Sequence, residues 1–325
     1  MRRVLILGGT GWLGREIARI AVADGAEVTC LARGESGPPP EGVHFVAADR
    51  TRPGVYEKLA GEWDEVVELA YEAELVQSAL DALVKRARHW TLISTVSVYA
   101  RNDEPGADES ADLVEPDDPT DYSHAKVLAE RATASALGDR LLVVRPGLIV
   151  GPGDPSDRFG YWPARLSRGG RALIPMTGDR YGQVIDVTDL ATYVVQAGRE
   201  GVTGTVNAVG ESRPFADVLD EVVAATGFSE EVVTVDDAFL RDHQVNYWGG
   251  PHSLPLWLPL ADAAMAQRSG SAYLGSGGTI RPLRDTITRV LADEIRRGVD
   301  RPRRSGLTSD EETGLFDALD VDQRP

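Results

Sequence analysis

The sequence predicts an α/β protein: a doubly wound parallel sheet with a smaller C-terminal substrate-binding cap. Three observations carry that prediction. Residues 4–14, VLILGGTGWLG, lead four apolar residues into a turn holding Gly8, Gly9, Gly11 and Gly14, and then into a helix. Up to residue 150, short and nearly all-apolar runs alternate with helical patterns, as expected of parallel strands covered on both faces. After residue 151, in Gly151-Pro152-Gly153-Asp154-Pro155, the chain breaks into turn-rich sequence, and aromatic residues begin to cluster.

The elements are expected in the following order. Residues 4–7 form the first strand and 14–23 the first helix, closed by Asp24-Gly25 as a glycine C-cap. Residues 27–32 and 43–47 form the second and third strands, the latter ahead of Asp49-Arg50. Residues 65–69 form the fourth, followed by a helix near 74–86. Residues 89–94 form the fifth, a helix spans 121–136, and 140–145 form the sixth. Two later runs, 183–187 and 204–209, read as a return to the sheet. The first domain is therefore 1–151, rejoined by about 182–209; residues 152–181 and 210–325 form the cap and C-terminal segment. The final stretch, 301–325, is polar and acidic, and Ser309-Asp310-Glu311-Glu312 reads as a capped helix start or a frayed tail.

Composition excludes several classes. A chain of 325 residues can bury one large core or two linked ones. Its net charge of −17 repels duplex nucleic acid and anionic membranes, while leaving room for a local basic pocket. The single cysteine, Cys30, lies in an apolar run and is expected to be a buried, inert thiol. No apolar run approaches the ~20 residues that span a bilayer. The run after Met1-Arg2-Arg3 is too short for a signal peptide, so a cytoplasmic protein is expected. The five histidines are scattered without ligand spacing, and no metal site is expected.

A doubly wound, Rossmann-type sheet binds ligands at the carboxyl ends of its strands. The spacing Gly8-x-x-Gly11-x-x-Gly14, between a strand and a helix, suits a dinucleotide pyrophosphate. Gly8, Thr10, Gly11, Trp12, Leu13 and Gly14 are the expected contacts. Arg33 follows the second strand, where an acidic residue would select NAD. A guanidinium there favours the 2′-phosphate of NADP(H), with NAD the alternative; Glu35 lies close by. Asp49 and Arg50, after the third strand, are expected to be cofactor-binding; Asp49 is placed to accept a bond from the adenine amino group, or is a simple turn aspartate.

The chemistry is expected in two segments. One is Ile93-Ser94-Thr95-Val96-Ser97-Val98-Tyr99, at a strand end; the other is Tyr122-Ser123-His124-Ala125-Lys126. A tyrosine and a lysine four residues apart share a helix face. The ammonium favours ionisation of the phenol, which must fall from near ~10 toward neutrality to act as an acid–base group, a change of about 4 kcal/mol. A hydroxyl from the strand end would hold the substrate oxygen near the phenol.

These segments, with Arg145-Pro146-Gly147 and Val184-Ile185-Asp186-Val187-Thr188-Asp189, resemble the extended short-chain dehydrogenase/reductases, the NAD-dependent epimerase/dehydratase family. The resemblance covers most of residues 1–210. It implies Thr95 as the catalytic hydroxyl, with Ser94 and Ser97 as neighbours able to share the role. It implies Tyr122 as proton donor or acceptor, and Lys126 as the residue that binds the nicotinamide ribose. Pro146 and Gly147 would approach the nicotinamide. Leu69 and Ala70 would border the cofactor where the family keeps small residues, and Tyr71 departs from that pattern.

Sugar-nucleotide dehydratases of this family carry an Asp-Glu pair after the catalytic threonine; here Val96 and Ser97 stand there, so dehydration is not expected. Epimerases usually show an acidic residue after the second strand, where this chain has Arg33. The expected activity is an NADP(H)-dependent reductase or dehydrogenase acting on a small carbonyl compound or secondary alcohol. An NAD-dependent sugar-nucleotide epimerase is the alternative, and a non-catalytic dinucleotide sensor a weaker one. The resemblance also implies a homodimer through a helix pair that includes residues 121–136.

Overall fold

The computed structural model describes residues 1–322; the last three residues of the acidic segment lie outside them. Six strands come in the expected order: β1 (Arg3–Leu7), β2 (Glu27–Ala32), β3 (His44–Ala47), β4 (Trp63–Glu68), β5 (Ala87–Ile93) and β6 (Leu141–Pro146). Helices α1 (Trp12–Ala23), α2 (Ala73–Leu83) and α3 (Tyr122–Leu137) connect them. With Gly204–Ala208 they form a seven-stranded sheet ordered Gly204–Ala208, β6, β5, β4, β1, β2, β3. Every neighbouring pair is parallel. The order reverses between β1 and β4, so their carboxyl ends flank the switch point at which such sheets bind ligands.

Side-chain alternation explains the double burial. Along β1, Val4 and Ile6 enter one core with Ile17 of α1, Cys30, Val67 and Leu190. Leu5 and Leu7 enter the other, with Leu80 of α2, Trp90 and Ala129 of α3. Helix ends follow local chemistry. The Asp121 carboxylate accepts from the Ser123 and His124 amides, so α3 begins at Tyr122. Gly25, with φ +82°, turns the chain out of α1.

One expected strand lies elsewhere. Tyr181–Asp186 does not join the large sheet but pairs antiparallel with Ser212–Pro214. The free edge of β6 is already taken by Gly204–Ala208, which pairs with it from residue 204 to 208.

The chain divides into two compact units. The first comprises 1–149, 184–211 and 268–280; the second comprises 150–183, 212–267 and 281 onward. The return at 268–280 has no local signature in the sequence; there Tyr273 packs on Tyr193 with ring centroids 4.6 Å apart. In the second unit, Tyr161, Trp162 and Trp257 are buried in its own core. Trp162 Nε1 donates to the Pro255 carbonyl at 2.8 Å, and the Tyr247 and Trp257 rings lie 3.8 Å apart. Residues Ser309–Asp322 form a helix. Its cap is Thr308, one residue earlier than expected: Thr308 N donates to Glu311 while Glu311 N donates to Thr308 Oγ1. Glu312 is buried against Arg165 at 2.6 Å, so this segment is integrated into the unit.

Candidate functional site

The glycine turn is built for close backbone approach. Gly8 has φ +103°, and its amide donates to the Leu31 carbonyl at 3.0 Å. The Gly11 amide donates back to the Gly8 carbonyl at 3.1 Å. A Cβ on Gly14 would stand 2.4 Å from that same carbonyl oxygen, so only glycine lets α1 start this close to the turn. Gly11 caps α1 with no side-chain hydrogen bond, and the first turn has no acidic residue. The first turn of α1 therefore presents the amides of Leu13 and Gly14 with no side-chain cap and no acidic group beside them, the arrangement that favours an anion. Leu13 itself is buried in the core, leaving its backbone as its means of contact. Cys30 is also buried, against Gly9, and burial pushes its thiol up to about 12.

A crevice of about 940 Å³ opens over this turn. Gly8, Thr10, Gly11, Arg33, Asp49 and Tyr71 are among the residues that line it, with Leu69 and Ala70. That volume suits a dinucleotide-sized ligand. Arg33 is exposed and pairs with Glu35 at 3.1 Å. The Asp49 carboxylate is held in a turn by the Thr51 amide (3.0 Å) and hydroxyl (2.8 Å), and these bonds keep its pKa low. Ser36, which the sequence did not single out, also lines the crevice.

Arg50 borders the crevice, and its guanidinium is bonded to protein partners: both Glu68 oxygens, the Leu75 carbonyl and the Tyr56 hydroxyl. Glu68 has no exposed surface and also accepts from the Ala70 amide at 2.8 Å. This buried pair fixes the turn after β4 instead of offering a cation to a ligand. An acidic residue inside the apolar run Val66-Val67-Glu68 was the available signal.

The crevice ends at Tyr71, Ala125 and Leu128; Thr95, Tyr122, Lys126, Pro146 and Gly147 do not line it. Tyr122 begins α3 and is 46% exposed. Lys126 lies one turn further along and is buried, its ammonium donating to the Ile93 carbonyl at 2.6 Å. That carbonyl is two residues from Thr95, so Lys126 links α3 to the end of β5. The Lys126 nitrogen lies 6.0 Å from the centre of the Tyr122 ring and 5.4 Å from that of Tyr71. Burial lowers the Lys126 pKa to about 8, opposed by the charges of Glu68, Glu72 and Glu130.

Thr95 caps a short turn, Val96–Val98: its hydroxyl accepts from the Ser97 amide at 3.1 Å and donates to the Ser97 hydroxyl at 3.2 Å. Ser94 is not free to share its role, because its hydroxyl donates to Glu130. Glu130 also holds Arg145 at 3.0 and 2.7 Å, and Arg145 donates to Tyr99 Oη. Tyr99 donates in turn to Asn207 at 2.6 Å. This buried chain ties α3, the ends of β5 and β6, and Gly204–Ala208 together beneath the site. Pro146 ends β6, and the Gly147 amide donates to Ala208. His124 Nδ1 accepts from the Asp118 amide at 3.1 Å and lies 3.0 Å from an Asp117 carboxylate oxygen. Among the described residues no cluster of His, Cys, Asp and Glu could hold a metal ion, and no helix is long and apolar enough to cross a membrane.

This chain is similar to a chloroplast stem-loop binding protein of 41 kDa (b) from Arabidopsis thaliana, 28% identical over 250 residues, 70% of this chain. The match spans 64% of that relative's length. A dTDP-6-deoxy-L-talose 4-dehydrogenase (NAD(P)(+)) from Kitasatospora kifunensis is 27% identical over 265 residues, 72% of this chain and 82% of that protein. The solved UDP-glucuronic acid 4-epimerase from Bacillus cereus, in complex with NAD, shares the fold with a TM-score of 0.65 at 16% identity, over 91% of this chain and 99% of that one. The model of the NAD dependent epimerase/dehydratase family matches residues 4–83 and 70–210. The chain therefore belongs to the NAD-dependent epimerase/dehydratase family and is an NAD(P)-dependent enzyme of the short-chain dehydrogenase/reductase superfamily.

Proposed function

We propose that this enzyme is an NADP(H)-dependent reductase or dehydrogenase that interconverts a small carbonyl compound and its secondary alcohol, with Tyr122 as the acid–base group. The observation that carries this reading is the buried Lys126 ammonium, held between the Ile93 carbonyl beside Thr95 and the Tyr122 ring. The cradle residues fit the cofactor: a side chain on Gly14 would close the turn, and the α1 amides have no side-chain cap. Gly8, Thr10, Gly11 and the amides of Trp12, Leu13 and Gly14 would hold the pyrophosphate. Arg33, with Ser36, would hold the 2′-phosphate, and Asp49 the adenine edge. Leu69 and Ala70 would border the cofactor, and Pro146 and Gly147 would lie against the nicotinamide. When bound, the dinucleotide supplies or accepts the hydride. In the reductive direction Thr95 donates a hydrogen bond to the carbonyl oxygen and orients it. Tyr122 then transfers its phenolic proton to that oxygen as charge develops there. Lys126 keeps positive charge beside the phenol through that transfer and would bind the nicotinamide ribose.

Val96 is buried and apolar beside Thr95, which speaks against a dehydratase needing an acid at that position. The NAD-dependent epimerase reading is favoured by one observation, the shared fold with the Bacillus cereus 4-epimerase. The test is Tyr122→Phe, assayed by NADPH absorbance against a panel of carbonyl compounds. Turnover should fall about 10²- to 10⁴-fold while NADPH affinity, measured by calorimetry, stays within about twofold. Undiminished turnover rejects Tyr122 as the acid–base group.

A further inference from the structure

We propose that Tyr71 is a displaceable cover over Lys126, and that it makes the bound dinucleotide exchangeable. The proposal rests on the cofactor-binding reading above. An ammonium has three N–H donors, and a buried one must direct each of them at an acceptor. Among the described residues, the one hydrogen bond of Lys126 goes to Ile93. Besides the charges of Glu68, Glu72 and Glu130, the faces of Tyr71 and Tyr122 attract the ammonium through cation–π contacts at 5.4 and 6.0 Å. Tyr71 is positioned edge-to-face against Tyr122, with centroids 5.1 Å apart and planes at 81°.

At Tyr71 the side chain is partly exposed while the backbone before it is held. The Ala70 amide before it is tied to Glu68, which Arg50 locks in place, so the backbone there is pinned. The Tyr71 side chain is on the crevice wall, and the residue is 37% exposed. Ribose hydroxyls that reach Lys126 must take the place of the Tyr71 ring, and the ring competes for the same charge when they leave. A small side chain here would not compete.

The consequence separates two reaction classes. Reduction consumes one hydride and one proton per carbonyl, so the oxidised dinucleotide must leave before the next turnover. Redox-neutral epimerisation returns the hydride and gains from a retained cofactor. A competing ring at position 71 suits the first class.

The experiment compares wild type, Tyr71→Phe and Tyr71→Ala. NADPH affinity is measured by calorimetry, its dissociation rate by stopped-flow fluorescence, and Lys126 acetylation by an N-hydroxysuccinimide ester is mapped by mass spectrometry. Tyr71→Ala should bind NADPH about five- to tenfold more tightly and release it correspondingly more slowly. Lys126 should acetylate faster in that variant, with NADPH protecting it. Tyr71→Phe, which keeps the ring, should match wild type. Equal or weaker binding by Tyr71→Ala, with wild type still binding, overturns this proposal alone. Failure of NADPH and NADH to bind any of the three proteins overturns the cofactor reading and this proposal with it.

Discussion

Lys126 shows how one residue couples burial to charge. Its pKa of about 8 lies below the ordinary lysine value of ~10.4, so the unfolded chain holds the proton more tightly. The contribution of Lys126 to stability therefore rises with pH between about 8 and ~10.4, where the unfolded state binds more protons. Function runs the other way: as pH climbs through about 8 the ammonium is lost, and dinucleotide binding that depends on it weakens. NADPH affinity measured by calorimetry between pH 6.5 and 9.5 should hold on the acid side and fall by up to about tenfold per pH unit above 8. A flat profile contradicts a role for the ammonium. Arg33 is exposed, lines the crevice and pairs with the exposed Glu35, so in the proposed reading it would contact the ligand without holding the fold. Arg33→Ala should narrow the preference for NADPH over NADH by about tenfold in relative Kd, with melting temperature unchanged. Equal affinities of the unmodified protein for the two dinucleotides contradict NADP(H) selection.

At the level of elements, the glycine turn and the Tyr122–Lys126 helix face were legible because short-range geometry determines them. A strand, a Gly-x-x-Gly-x-x-Gly turn and a helix need no distant partner to be recognised. The turn after β4 is different. Its shape depends on Arg50, from the end of β3, meeting Glu68 inside β4, and neither residue signals the other in sequence. Arg50→Leu should leave the buried Glu68 carboxylate unpaired and reduce unfolding free energy by about 3–5 kcal/mol. Urea denaturation measures this, and the double variant Arg50→Leu/Glu68→Leu should recover most of the loss. A single variant as stable as wild type refutes the pair as the anchor of this turn. The boundary errors have physical causes too: the cap falls at Thr308 and not at Ser309, the better cap former in isolation, because Thr308 and Glu311 bond reciprocally. Residues 183–187 are expected in the large sheet, and the strand Tyr181–Asp186 lies elsewhere because a short strand carries no mark of which edge it will meet.

At the scale of the whole molecule, distant segments meet around Glu65. This carboxyl in β4 is buried, with Thr91 of β5 donating at 3.2 Å and Arg2 donating at 3.5 Å. Gly198 leaves room for it: a Cβ there would lie 2.1 Å from the carboxyl. Burial raises the Glu65 pKa to about 7 against the opposing charge of Arg2. Between the ordinary ~4.3 and about 7 the folded state holds the extra proton, so stability from this group is present below ~4.3 and declines as pH rises to 7. Glu65→Gln should remove that slope and gain on wild type by about 3 kcal/mol between pH 4.5 and 7.5, as read by chemical denaturation. A constant difference between the two proteins across that range contradicts the titration.

The amino-acid sequence alone determined the α/β class, the glycine turn after β1 and the tyrosine–lysine helix face, because each is written in residues within one or two turns of each other. Tertiary structure decided which cations are committed and which are available: Arg50 is locked to Glu68, Arg33 stays on the open wall, and Lys126 lies under the ring of Tyr71. It also decided the return of 268–280 to the first unit and the edge strand of the large sheet. Those outcomes depend on which surfaces and charges meet across long stretches of chain, and burial sets their energies only after the fold has brought them together.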